Sequence, residues 1–172
     1  TPLYAVAVAD GYGAVQADGD IVLTTSATGS ATLRIYVNDE FVDTGIVTGD
    51  SPTTIAANAV VNVNGKSAWP VIASSVGGTL TLTAKNAGLR GNNIRYFAQI
   101  LPSDISTTVT PLASTKLTGG AVSDDNTAAL ATILGKRFYY SISAAEDETQ
   151  LSAWLAQIVQ EALPINGRRM RL

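Results

Sequence analysis

Gly88-Leu89-Arg90-Gly91-Asn92-Asn93 is the segment whose residue types come closest to a phosphate cradle. A phosphate loop ends in Gly-Lys-Ser/Thr and opens a helix, so that backbone N–H groups and a lysine converge on the anion. No such ending follows here, and the residues from Ile94 onward read as a strand. The segment is therefore expected to be a structural turn, with Gly91-Asn92 supplying residues that tolerate positive φ. Asp18-Gly19-Asp20 and Asp124-Asp125 offer carboxylate oxygens. Calcium needs about six to eight oxygens from a spaced acidic set, and neither pair has one. They read as a turn and a helix cap. Serine with lysine could supply a nucleophile and its base. Lys66, Lys85, Lys116 and Lys136 all stand in polar turns or at the ends of elements, where nothing would desolvate an amine and lower its pKa. The chain has no His and no Cys. That removes the imidazole base, thiolate nucleophiles, disulfides and zinc sites built on those ligands. No catalytic, cofactor-binding or metal site is expected, and the chain does not read as an enzyme.

Three further features could serve binding. Arg168, Arg169 and Arg171 form a small basic tail that could contact an acidic partner, but a frayed, solvated chain end is the favoured account of them. Trp69 and Trp154 could be binding anchors. Trp154 falls on the apolar face of a helix and reads as core. Trp69 precedes Pro70 in a loop and, with Tyr12, could form an exposed aromatic platform.

The elements that must position these residues are mostly strands. Ile21, Leu23 and Thr25 alternate with Val22, Thr24 and Ser26, Thr28-Gly29-Ser30 turns, and Leu33, Ile35 and Val37 resume the alternation. This predicts a hairpin with a short loop. Asn38-Asp39-Glu40 makes the next turn, and Phe41 to Val47 a third strand. The period then changes. Asp50 or Ser51 can cap a helix with Pro52 in its first turn, Ile55, Ala59, Val60 and Val63 on one face, and Gly65 as its stop. Asn58, Asn62 and Asn64 lower its intrinsic propensity. Strands follow over 71–75, 79–84, 94–101 and 106–112, with Gly77-Gly78 and Gly119-Gly120 as turns. About eight short strands of this kind predict a β-sandwich or barrel, with one helix covering an edge or an end.

After Gly120 the pattern becomes α/β. Asp124 or Asp125 caps a helix carrying Leu130, Ile133 and Leu134, which Gly135 ends. Phe138-Tyr139-Tyr140-Ser141-Ile142-Ser143 reads as a strand. Asp147 and Gln150 form a capping box for a helix with Leu151, Trp154, Leu155, Ile158, Val159 and Ala162 on one face, and Pro164 ends it. One strand between two amphipathic helices cannot make a sheet alone. Its partners would come from the apolar run Leu3 to Ala9 or from chain outside this sequence. The expected organisation is a core strand over 1–9, a β module inserted over 10–121, and part of an α/β domain over 122–172.

Composition narrows the function classes. Of 172 residues, 46% are hydrophobic and only 15% charged, below the usual quarter. Such a surface suits a β-rich module that sits among other protein. The net charge of −3 and a pI near 4.8 argue against a nucleic-acid partner. No apolar run approaches the roughly 20 residues of a membrane helix, and Thr1-Pro2-Leu3-Tyr4 lacks the features of a signal peptide. The first residue is not Met, so the chain is expected to be processed or cut from something longer. There is no Asn-x-Ser/Thr sequon.

Three places, in this order and spacing, carry a resemblance. They are Leu3-Tyr4-Ala5-Val6-Ala7-Val8, the strand-loop-strand segment Thr81 to Ile94, and Phe138 to Ser143 followed by an acidic helix start. Over roughly Leu3 to Pro164 the chain resembles Mu-like contractile phage tail sheath proteins. The resemblance implies a mixed fold: a mainly-β, sandwich-like insertion domain with one helix, then an incomplete α-β-α segment of a subtilisin-like sheath core. It implies a structural subunit of a contractile tail, or of a related injection system. Stacked rings of such subunits surround a tube and contract to drive it through a cell envelope. The implied partners are other sheath subunits and the tail tube protein, with no cofactor, nucleic acid or membrane. The implied location is the virion tail, assembled in the host cytoplasm. The family's C-terminal arms have no counterpart here, so the chain by itself is expected to be monomeric or weakly associating. The alternative reading is a bacterial or phage surface β-sandwich that binds a receptor or glycan.

Overall fold

Apolar and polar side chains alternate along the described strands, and the alternation decides which face of each strand is buried. The computed structural model describes residues 11–102, 106–122, 124–133 and 148–162. Eight strands are described: β1 (Gln16–Thr24), β2 (Ala31–Val37), β3 (Glu40–Ile46), β4 (Val71–Val76), β5 (Thr79–Ala87), β6 (Arg95–Leu101), β7 (Thr108–Thr110) and β8 (Thr115–Lys116). They form two four-stranded antiparallel sheets, ordered β4-β5-β1-β7 and β3-β2-β6-β8. Ile21, Leu23, Leu80 and Leu82 from the first sheet and Leu33, Ile35, Ala98 and Ile100 from the second enter one apolar core. Burial of this kind is the main stabilising term, at about 25 cal/mol per Å² of apolar surface.

Two expected hairpins are present. Asn38 and Asp39 turn β2 into β3, with Tyr36 opposite Phe41 and Arg34 opposite Asp43. Gly77-Gly78 turns β4 into β5. The hairpin expected between β1 and β2 is absent: these strands lie in different sheets. The intervening segment is anchored elsewhere, because Ala27 is buried and its backbone bonds to Asp50 and Gly49, just before the helix. β1 pairs instead with β5 and β7, both distant in sequence.

Helix α1 (Pro52–Asn64) begins as its sequence dictates. Ser51 is the N-cap, and its hydroxyl accepts from the backbone N–H of Thr54. Pro52 occupies the first turn and Gly65 the C-cap. Ile55, Ala56, Ala59 and Val63 enter the core. The asparagines that weaken the helix locally pin it to both sheets. Asn62 Nδ2 donates to Thr44 Oγ1 on β3 at 3.0 Å. Asn64 pairs with Ala73 on β4 in both directions, at 2.9 and 2.8 Å. β3 and β4 are edge strands, so α1 covers the edge of each sheet on one side of the core. Covering an edge in this way removes a template for unwanted strand pairing.

Contacts divide the chain into two compact units, Val15–Ala121 and the flanking segments Thr1–Ala14 with Val122–Leu172. In the flanking unit, α2 (Thr127–Ile133) and α3 (Glu148–Ala162) are described. The N–H of Leu130 donates to the carbonyl of Asn126, so Asn126, and neither Asp124 nor Asp125, stands at the start of α2. Asn126 is buried, and its Nδ2 donates to the carbonyl of Gln150 on α3 at 3.2 Å. Ile158 is buried, but Leu151, Leu155 and Val159 of the expected apolar face are exposed and Trp154 is half-buried. The expected strands over 3–9 and 138–143, and Leu134, Gly135, Asp147 and Pro164, lie outside the described residues.

Candidate interaction surface and module junction

The Gly88–Asn93 segment is a turn of 3₁₀ helix, Leu89–Asn93, between β5 and β6. It carries the chain from one sheet to the other. Positive φ falls at Gly88 (105°), not at Gly91 or Asn92. Gly91 is required for a different reason: it is buried, and a Cβ there would stand 2.8 Å from Ala17 Cβ and 3.0 Å from Ala84 Cβ. Asn92 reaches the end of the module. Its Nδ2 donates to the Gly120 carbonyl, and its Oδ1 accepts from the Gly120 N–H, both at 2.9 Å. The Gly88 N–H donates to the Val15 carbonyl at 2.9 Å. Val15 and Ala121 bridge each other with two bonds of 3.2 Å, and Asp18 and Thr118 bridge with bonds of 2.8 and 2.9 Å. The incoming and outgoing chain of the two-sheet unit therefore lie side by side. The loop that resembled a phosphate cradle is the clasp that holds them.

Asp18-Gly19-Asp20 is mid-strand in β1, not a turn. Gly19 faces the Tyr96 ring so closely that a Cβ would meet it at 2.6 Å. Tyr96 Oη donates to the Asp20 carbonyl at 3.3 Å, spanning the two sheets. Burial, joined by the charge of Asp20, pushes the Tyr96 pKa up. Asp18 and Asp20 are exposed on the outer face, where the Thr81 hydroxyl donates to Asp20 Oδ1 at 2.7 Å.

Trp69 is buried at 3% exposure, and its Nε1 donates to Glu40 Oε2 at 2.7 Å. It lines a cleft of about 240 Å³ with Val37, Asn38, Asp39 and Pro70. It is a core residue and cannot offer an open ring to a glycan. Tyr12 is fully exposed. An aromatic row does stand on the outer face of the β3-β2-β6-β8 sheet, at positions the sequence reading did not single out. Tyr36 stacks on Phe97 with centroids 4.2 Å apart and planes 4° apart, and Phe41 flanks Tyr36 at 5.8 Å. Arg34 lies 4.1 Å over the Phe41 ring and makes a bidentate pair with Asp43, at 2.7 and 2.8 Å. The hydrogen bonds from Arg34 hold the Asp43 carboxyl below its ordinary range. The two-residue turn at Asn38-Asp39 fixes this register, so the pairs could have been read from the hairpin.

No chemistry converges on these features. Lys85 Nζ is held by the Ser67 carbonyl at 2.7 Å, and Lys66 and Lys116 are exposed. Lys136, Arg168, Arg169 and Arg171 lie outside the described residues. Among the described residues, no three His, Cys, Asp or Glu side chains could share a metal ion, and no helix is long and apolar enough to cross a membrane.

No family model matches the chain. It is 24% identical over 155 residues to the Mu-like prophage FluMu tail sheath protein of Haemophilus influenzae. The likeness supports a tail-sheath relationship. It covers 87% of this chain but 31% of the relative, so the chain spans about a third of that tail sheath protein's length.

Proposed function

We propose that the chain is a portion of a contractile tail sheath subunit, in which Val15–Ala121 is a β-sandwich insertion domain and the flanking segments belong to a subtilisin-like α/β core. The tail-sheath likeness over 87% of the chain carries this reading. The side-by-side placement of Val15 and Ala121 supports it, because an inserted module must return the chain close to where it left. A sheath that switches between two lattices needs rigid subunits and two sets of contacts that differ in free energy. The shared core, the edge-covering helix and the Asn92 clasp suit that requirement. The proposed partners are further sheath subunits and the tail tube. Particles labelled with antibodies raised against this chain test the reading. Decoration is expected along the whole outside of the tail, and its absence there overturns the proposal.

A receptor- or glycan-binding module remains the second reading, and the Phe41-Tyr36-Phe97 row is what favours it. Trp69, the anchor expected for that role, is buried. Tyr36 spends a ring face on Phe97, and Arg34 covers a face of Phe41. This leaves less open ring surface for a sugar. Labelling confined to a tail tip or fibre would favour this second reading.

A further inference from the structure

We propose that Asn64-Gly65 is a deamidation site that the native fold holds closed, and that it reacts only when helix α1 lets go of strand β4. The inference stands on this junction alone and does not depend on the sheath reading.

Asparagine is a thermolabile residue, and most of all when glycine follows it. Glycine has no Cβ to hinder its own nitrogen, and the backbone turns freely there. The sequence holds two such pairs, Asn64-Gly65 and Asn166-Gly167, and the second lies outside the described residues. In the reaction the Gly65 backbone nitrogen gives up its proton and bonds to Asn64 Cγ. Nδ2 leaves as ammonia, and a cyclic imide closes. Water, the only co-reactant, then opens the imide at either carbonyl and leaves aspartate or isoaspartate.

The native chain opposes that ring closure in several ways. The Gly65 N–H donates to the Val61 carbonyl at 3.0 Å, so the nucleophile is occupied. Asn64 Nδ2 donates to the Ala73 carbonyl at 2.9 Å, and Asn64 Oδ1 accepts from the Ala73 N–H at 2.8 Å. Asn64 is the last residue of α1, and Gly65 continues the helical path at φ −65° and ψ −19°. Ring closure needs the Asn64 backbone to rotate out of helical ψ and bring Cγ onto the next nitrogen. Burial is not part of the protection: Asn64 and Gly65 are both exposed, so water and hydroxide reach the pair. Every one of these restraints is released when the end of α1 unwinds from β4.

The fold does not require glycine at this position. Its φ is one that any residue adopts, and an added Cβ would meet only the Val61 and Asn62 carbonyl oxygens, at 3.4 Å. The glycine therefore leaves a reactive pair at the point where α1 is fastened to the sheet edge. The product cannot be fastened in the same way. A carboxylate has no donor for the Ala73 carbonyl and sets a negative charge against it, and isoaspartate also adds a methylene to the main chain. A chain that opens here long enough to react closes again with its β4 edge less well covered.

Tandem mass spectrometry of digests reads Asn64 apart from Asn166 in the 172-residue chain, held at mildly alkaline pH with and without concentrated urea. Conversion at Asn64 is expected to be slower by about tenfold or more in the native chain than in urea, because it waits on local opening. Ser51→Ala removes the N-cap of α1 and should speed conversion several-fold in the native chain, with the rate in urea unchanged. Gly65→Ala should not lower the melting temperature, and should slow conversion in both conditions. Chain converted in urea and then refolded should melt below chain refolded at once. Equal rates at Asn64 in native buffer and in urea would overturn the proposal, and so would an Asn64 that stays intact in urea while Asn166 converts. A folded Ser51→Ala chain with the native rate would also overturn it, because opening of α1 would not then control the reaction. The comparison of native buffer with urea needs no variant, so it decides the matter even if Ser51→Ala fails to fold.

Discussion

Asn92 and Gly120 exchange two hydrogen bonds of 2.9 Å, one in each direction, and this exchange fastens the end of the β module to its internal loop. Asn92→Ala leaves both the N–H and the carbonyl of Gly120 without that partner in a partly buried setting. A loss of about 1–3 kcal/mol is expected, measured as a lower urea midpoint with an unchanged m-value.

Gly120→Ala should be worse. Its Cβ would stand 2.5 Å from the Gly88 carbonyl oxygen and 2.8 Å from Asn92 Oδ1, and a backbone oxygen cannot move aside. A soluble, cooperatively melting Gly120→Ala chain with an unchanged midpoint would show that the clasp is not as tight as described. Gly45, with nothing within 4 Å of a Cβ, is the matched control and should accept Ala at little cost.

Asn64→Ala removes the two bonds to Ala73 and uncovers the β4 edge. Stability should fall by about 1–3 kcal/mol. The more specific result is at one amide: Ala73 N–H should lose its protection in native-state hydrogen exchange while the amides of β5 keep theirs.

Much of this architecture was legible in the chain because it is local. Ser51, Pro52 and Gly65 specify the start and stop of α1, and alternation specifies the strands and their buried faces. What alternation does not carry is partner choice. Thr25 to Ser30 could close a hairpin, but Ala27 is buried against the segment before α1, which sends β2 into the other sheet. The three asparagines of α1 looked like a local weakness, and two of them are tertiary contacts. Asp18-Gly19-Asp20 looked like a turn because Gly between two Asp usually is one. Here Gly19 sits in a strand to admit the Tyr96 ring from the opposite sheet, a requirement no local pattern contains. Of the interaction surface, the Tyr36–Phe41 and Arg34–Asp43 pairs follow from a two-residue turn. Phe97 joins them only through long-range pairing.

Trp69→Ala separates a core role from a binding role. With its side chain buried and its indole N–H bonded to Glu40, the substitution should cost about 3–5 kcal/mol of stability. A loss of glycan or receptor binding with an unchanged melting temperature would contradict that assignment.

Alkaline pH should act on the fold through Tyr96. Its folded-state pKa is raised above the unfolded value, so the neutral phenol is the form the fold holds. The stability linked to it is fully present below the unfolded value, about 10. It is lost as pH rises through the higher folded value. Denaturant midpoints should therefore fall above about pH 10, and Tyr96→Phe should flatten that fall while lowering the plateau slightly through loss of the bond to Asp20.

If the chain is part of a sheath subunit, as proposed, the whole protein should polymerise by itself. Negative-stain electron microscopy of the whole gene product, expressed without other tail proteins, tests it most directly. Regular hollow tubes with protein studs repeating along the outer surface are expected. Discrete monomers across a wide range of concentration and salt, with no tubes or rings, would contradict it.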